Sequence, residues 1–230
     1  LKPILGCDVK IKNNKFPDNP YRMTFYCMNH TGYHSLCVLL TKAFLEGQDP
    51  YRGQICDEWL DVPGATDGLI ALTGGPKGRL SQLIDTGSER QAGGIVGRWK
   101  KLFPNRLYIE LQRANRPKDE NQNAFLVTVA SRFDVPVVAT HPVQFLEPQD
   151  FEAHEVRCCI AGGFTITDPR RDKSYTREQY LKSEEQMCEL FKDVPSALAN
   201  SVIIAKRCNL DGVLSKPQLP LFPTPDGMSL

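Results

Sequence analysis

Short apolar runs alternate with stretches of helical spacing along most of this chain. Residues 3–10 (PILGCDVK) and 22–28 (RMTFYCM) read as two strands. Residues 31–45 carry a helical period, and Gly47 is its stop signal. LIALT (69–73) reads as a short buried strand, which Gly74, Gly75 and Pro76 turn into a helix near 79–84. Helical spacing covers 88–103, weakened by Gly93, Gly94 and Gly97 and ended by Pro104. LYIEL (107–111) is the next strand. Pro117 opens a helix running to Phe133, in which Phe125, Val129 and Phe133 recur every fourth residue. A strand over 135–140 and a helix over 150–161 follow, with Gly162 and Gly163 as the stop. From Tyr175 onward the pattern predicts helix throughout. Thr176 with Gln179, and Ser183 with Gln186, have capping-box spacing. Asp193 and Pro195 open a last helix that ends near Arg207. Residues 216–230 are proline-rich and read as an extended linker.

Strands alternating with helices over the first 160 residues predict an α/β fold built on a mostly parallel sheet or barrel. The helical tail reads as an appended bundle. Composition narrows the function classes only a little. With 41% hydrophobic and 24% charged residues, 230 residues can bury a sizeable core. A net charge of +1 supplies no global basic field for nucleic acid. There is no run of eighteen apolar residues and no visible signal peptide. The eight cysteines include no C-x-x-C pair and sit mostly in apolar runs, as reduced, buried thiols do. The chain opens directly on apolar sequence without Met, which reads as a piece of something longer.

Candidate chemistry gathers at strand ends. Asp8 follows ILGC, Glu110 lies in LYIEL, and His141 follows VVAT. In a parallel barrel such ends converge on one face, where carboxylates and imidazole can hold divalent metal and hydrolyse a phosphoester. The reading favoured over that one is of solvated or hydrogen-bonded strand ends. Other features are less specific. His154-Glu155 lacks the second His of a zincin helix and suits a capping or interface role. TGGPKGR (73–79) lacks the Walker pattern and suits a tight turn. The basic clusters at 98–101, 113–118 and 170–173 read as solvated faces, and His30 and His34 as surface groups beside a helix start.

Several longer segments occur in a telling order. They are KPILGCD (2–8), NHTGYHSL (29–36), IELQRANRPKDE (109–120), VVATHPVQF (137–145), DFEAHEVRCCIAGG (150–163), YLKSEEQMCELFKDVPSALANSVIIAKRCN (180–209) and LPLFPTPDG (219–227). Together they resemble the N-terminal PHP (polymerase and histidinol phosphatase) region of the bacterial DNA polymerase III alpha subunit family. That resemblance implies an α/β fold, a distorted seven-stranded PHP-type barrel. The barrel would lack its first strands, which the family places before Leu1. It also implies a division into a partial barrel at 1–165, a helical extension at 166–212 and a linker at 213–230 toward the polymerase palm and thumb.

The resemblance further implies a parent nucleotidyltransferase, a DNA-directed DNA polymerase of chromosomal replication in the cytoplasm. Its Mg2+-binding palm carboxylates would lie outside this chain, leaving no catalytic residue here and no cofactor expected in this part. The implied partners are a proofreading exonuclease subunit, other holoenzyme subunits, DNA and dNTP, with no membrane. Compared with metal-binding members, this chain keeps Asp8 and Glu110, the two positions left to hold a metal if any does. It has Arg22 and Ala114 where histidines stand, and Pro142 and Gln144 at two further ligand positions. These six positions read as a vestigial metal site, and the domain as a structural platform that docks the exonuclease subunit. The alternative is a metal-dependent 3′–5′ exonuclease or pyrophosphatase within the PHP domain itself.

Overall fold

The structure, a computed structural model, describes residues 2–13, 16–49 and 52–212. The linker expected over 213–230 lies outside the described residues. Among the described residues eight strands form: β1 (Gly6–Asn13), β2 (Phe16–Cys27), β3 (Gln48–Asp49), β4 (Arg52–Gly53), β5 (Ile55–Cys56), β6 (Leu69–Leu72), β7 (Leu107–Gln112) and β8 (Val137–Thr140). The helices are α1 (His30–Leu45), α2 (Arg79–Asp85), α3 (Ala92–Leu102), α4 (Asp119–Phe133), α5 (Phe151–Gly162), α6 (Glu184–Leu190) and α7 (Pro195–Arg207). Six strands make one sheet in the order β5-β1-β2-β6-β7-β8, and β3 and β4 pair separately.

The sheet is mixed, with five of its six strands running the same way and β2 against them. β2 runs antiparallel to both β1 and β6, while the β5–β1, β6–β7 and β7–β8 pairs are parallel. The register Lys10↔Arg22 and Asn13↔Phe16 makes β1 and β2 a long hairpin. That hairpin shifts β1 to start at Gly6 and extends β2 back to Phe16, beyond the expected runs. Among the described residues the sheet stays open, with β5 and β8 at its ends. This is an α/β domain with a mixed, unclosed sheet followed by helices.

Period-two alternation gives the two faces of the sheet different partners. Met23, Phe25, Leu69, Ala71, Ile109 and Val137 point to the helix-covered side, into one large core with α1 to α4. Its fully buried members include Trp99, Phe25 and Phe103, and burying each such ring contributes ~2–3 kcal/mol. Arg98 ties α3 down by bonding Asp57 (2.7 Å) and Asp61 (2.8 Å), and the Tyr21 hydroxyl donates to Asp57. Ile70, Leu72, Tyr108 and Val138 point to the opposite face, where Ile204 and Cys208 at the end of α7 join them. Asn200 of α7 donates to the Val137 carbonyl on the β8 edge (2.8 Å).

The helical tail differs from expectation between 164 and 183. Thr176 and Gln179 make their capping-box contact (2.9 Å), yet no helix follows. Gln144 N–H donates to Gln179 O (2.8 Å), and Leu181 N–H donates to Phe145 O (3.0 Å). This strap's backbone is therefore already engaged with the loop after β8, which competes with helix formation. Ser183 and Gln186 do open α6 with a full capping box. Val194, not Asp193, is the N-cap of α7, because Asp193 is held by Arg113 (2.6 Å). The stretch 88–103 also divides, into a 3-10 turn (Glu89–Gln91) and then α3.

The turn after β6 is set by Gly74 at φ +83°, where an added Cβ would lie 2.0 Å from the Arg22 carbonyl oxygen. Gly97, inside α3, faces nothing within 4 Å. Gly74→Ala is expected to lower stability by ~2 kcal/mol or more, and Gly97→Ala to raise it by ~0.5–1 kcal/mol. Urea midpoints of the two variants check both signs.

Candidate functional site

The face carrying Tyr108 and Val138 is apolar at one end and polar at the other. The register gives the reason. Asp8 pairs with Thr24, Thr24 with Leu72, and Leu72 with Tyr108, so these four share one row across the face. The next row up contains Lys10, Arg22, Glu110 and Val138. β6 ends at Leu72, so the Gly74 turn fills the gap between Arg22 and Glu110. Gln112 and Thr140 make the row above.

Asp8 is engaged at both oxygens. Thr24 donates to Oδ1 at 2.5 Å, and Arg22 Nη2 meets Oδ2 at 2.8 Å. Glu110 is 2% exposed, in a strand whose six residues are all buried. Its Oε1 accepts from Thr140 Oγ1 (2.6 Å) and Gln112 Nε2 (2.7 Å), while its Oε2 is buried and unpaired. Gln112 is oriented in turn by Arg116 (3.2 Å), and Arg116 by Asp119 (2.9 Å). Tyr26 belongs to the same cluster. Burial pushes its phenol pKa up, and the Glu110 and Asp8 charges add to the rise against an opposing effect of Arg22.

The structure places the three strand-end candidates as follows. Asp8 is the third residue of β1 and Glu110 the fourth of β7, so neither sits at a C-terminal strand end. They lie on one face of the sheet in adjacent rows, with β2 and β6 between their strands. His141 does not join them. Its Nε2 contacts the Glu178 carbonyl of the strap (2.8 Å), and Lys182 and Arg116 are the nearby charges. Thr24, Tyr26 and Gln112 escaped sequence reading, although Gln112 stands two residues from Glu110 in a strand and so had to share its face.

The remaining positions are accounted for as follows. Ala114 is buried, its N–H donating to Asp119 (2.7 Å) and its carbonyl accepting from Thr176. The Pro142 carbonyl accepts from Gln179 (3.1 Å), and the Gln144 side chain is exposed. His154 lies inside α5, not at a cap. It is buried between Arg157, Cys158 and the edge of Tyr175, while Glu155 pairs with Arg171. The basic clusters are largely engaged, Arg98, Arg113, Arg116, Arg170 and Arg171 each holding an acidic partner. His30 reaches Asp211 at 3.3 Å. TGGPKGR forms a tight turn with a 3-10 segment at Gly75–Lys77. All eight cysteines are free thiols.

The resemblance implies a metal centre, and the residues do not fit one. Asp8 is already satisfied by Arg22 and Thr24, and the Glu110 Oε2 is buried without a hydrogen-bond partner. A proline ring and an alanine methyl donate nothing, and a guanidinium repels a cation. Among the described residues, no group of three or more His, Cys, Asp or Glu side chains is arranged to hold a metal ion.

An open α/β sheet, helices packed on one face and a polar cluster on the other define a PHP-type domain. A family model described as "PHP domain" matches residues 1–114. The chain is 43% identical over 231 residues to the DNA polymerase III subunit alpha of Pseudomonas fluorescens, covering 100% of this chain and 19% of that relative. The subunit alpha of Neisseria meningitidis serogroup A is 43% identical over 232 residues (100% and 20%), and that of Escherichia coli 40% over 226 residues (98% and 19%). The chain belongs to the bacterial DNA polymerase III alpha subunit family, as its PHP-domain region. It spans about a fifth of the length of the curated relatives it matches. No helix among the described residues is long and apolar enough to cross a membrane.

Two histidines make stability depend on pH. Burial lowers the pKa of His141 from 6.5, with the Lys182 and Arg116 charges adding to the drop. Burial, then Arg157, lowers that of His154. The unfolded chain therefore takes up protons first as pH falls, so stability present above about 6.5 is lost as pH drops through the folded-state values. The urea midpoint is expected to be lower at pH 5.5 than at pH 7.5, and a His141→Gln, His154→Gln variant to show a shallower decline.

Proposed function

We propose that this chain is the PHP part of the catalytic alpha subunit of a replicative DNA polymerase. In the parent protein, DNA-templated addition of dNTP to a primer end would use Mg2+ held by palm carboxylates outside these residues. The proposed division is a partial barrel at 1–165, a helical extension at 166–212 and a linker at 213–230. In this reading Asp8, Arg22, Glu110, Ala114, Pro142 and Gln144 mark a centre that no longer binds metal. The domain then works as a structural platform in the cytoplasm and docks the proofreading exonuclease subunit alongside other holoenzyme subunits. The observation that carries the reading is the alignment with alpha subunits over 100% of the chain at 43% identity. The Asp8–Arg22 contact at 2.8 Å supports the loss of metal chemistry.

The test is calorimetric titration of the alpha subunit carrying this domain with Zn2+ and Mn2+. No stoichiometric binding at this domain is expected, and Glu110→Ala is expected to leave the isotherm unchanged. Tight binding that Glu110→Ala abolishes would overturn the platform reading and favour a metal-dependent exonuclease or pyrophosphatase.

A further inference from the structure

We infer that Arg22 is a built-in cation that neutralises Asp8 and holds the β1–β2 hairpin in place on the carboxylate-bearing face of this sheet. The inference rests on the platform reading above and names the interaction that replaces the metal. Arg22 and Glu110 stand in one row of the face, and Asp8 is one row below. Two acids, a phenol and three amide or hydroxyl side chains (Thr24, Gln112 and Thr140) line this face without His. Arg22 supplies one unit of positive charge at 2.8 Å from Asp8. Arg116 acts from the other side through Gln112, which donates to Glu110.

The architecture around Arg22 is built to place it. The Gly74 turn packs against the Arg22 backbone so closely that no side chain fits there. Thr24, 7% exposed, fixes the second oxygen of Asp8, so the carboxylate presents its other oxygen to the guanidinium. The pair is not deeply buried: the Arg22 side chain is 30% exposed and that of Asp8 54%. Its effect is therefore local and moderate. A guanidinium on a strand also differs from a bound ion in being insensitive to chelators and free-metal concentration.

Peptide-resolved hydrogen exchange over β1 and β2 reads this directly. Arg22→Gln is expected to speed exchange there by about three- to tenfold, and Arg22→Lys, which keeps charge without the planar fork, by less. The Asp8→Asn, Arg22→Gln double variant is expected to exchange no faster than Arg22→Gln alone, with the coupling shrinking in 1 M NaCl. If Arg22→Gln does not fold, the Arg22→Lys and Asp8→Asn singles and their double supply the same cycle. Wild-type exchange in β1 and β2 with Arg22→Gln, or additive effects in the cycle, would sink the built-in cation and leave the platform reading standing. Protection of β1 and β2 by added Zn2+ in the wild type, removed by EDTA, would overturn both.

Discussion

A carboxylate buried in a strand with no solvent face is the constraint to which this domain answers. β7 is enclosed on both sides, and Glu110 sits at its middle with 2% exposure. A charge in that position needs donors, and the neighbouring rows provide them from three segments. Thr140 comes from β8, Gln112 from β7 itself, and Arg116 from the loop before α4, acting through Gln112. Asp119 at the start of α4 then holds Arg116 and the Ala114 N–H. Thus one buried acid fixes the relation of β7, β8 and α4. Removing any member would leave a buried polar group unpaired, which costs about 1–3 kcal/mol.

The same face explains why α7 lies where it does. Its polar rows find most of their partners among side chains on the strands and the loop before α4. Its apolar rows, Ile70, Leu72, Tyr108 and Val138, have no such option and take Ile204 and Cys208 from the end of α7. Arg207 extends the contact by donating to the Tyr108 hydroxyl (2.8 Å). Ala197, at the other end of the helix, belongs to the large core behind the sheet. α7 therefore wraps the β8 edge and connects the two cores, covering an edge that would otherwise invite pairing.

What could be read from sequence followed the strength of local signals. β6, β7 and β8 were visible as short apolar runs because burial on both faces makes them nearly continuous. The hairpin was legible only in part. Its antiparallel pairing and its overshoot of β6 depend on register, and no local pattern near Asp8 or Arg22 encodes that. The strap at 164–183 misled for a related reason. Thr176 and Gln179 carry a true helix-start signal and even make its hydrogen bond, but Gln144 and Phe145 take the backbone for themselves. At the site, residue types pointed to lost ligands through resemblance. That Arg22 turns toward Asp8, and His141 toward the strap, came only from the fold.

Placing a fixed cation in the chain has a consequence for how such a face responds to change. A bound divalent ion draws ligands from several strands at once, so losing one ligand weakens every strand's attachment. A guanidinium on β2 engages mainly one partner, here Asp8 on β1, while Glu110 relies on a separate hydrogen-bonded chain through Gln112 to Arg116. The two halves of the polar face are thereby decoupled except through Tyr26 and the row they share. Disruption at β1–β2 then loosens the hairpin without unfolding β7 and β8, and the reverse also holds. Such a face suits a domain whose surfaces hold other parts of an assembly in place, because damage stays local and chemistry at its centre is no longer required.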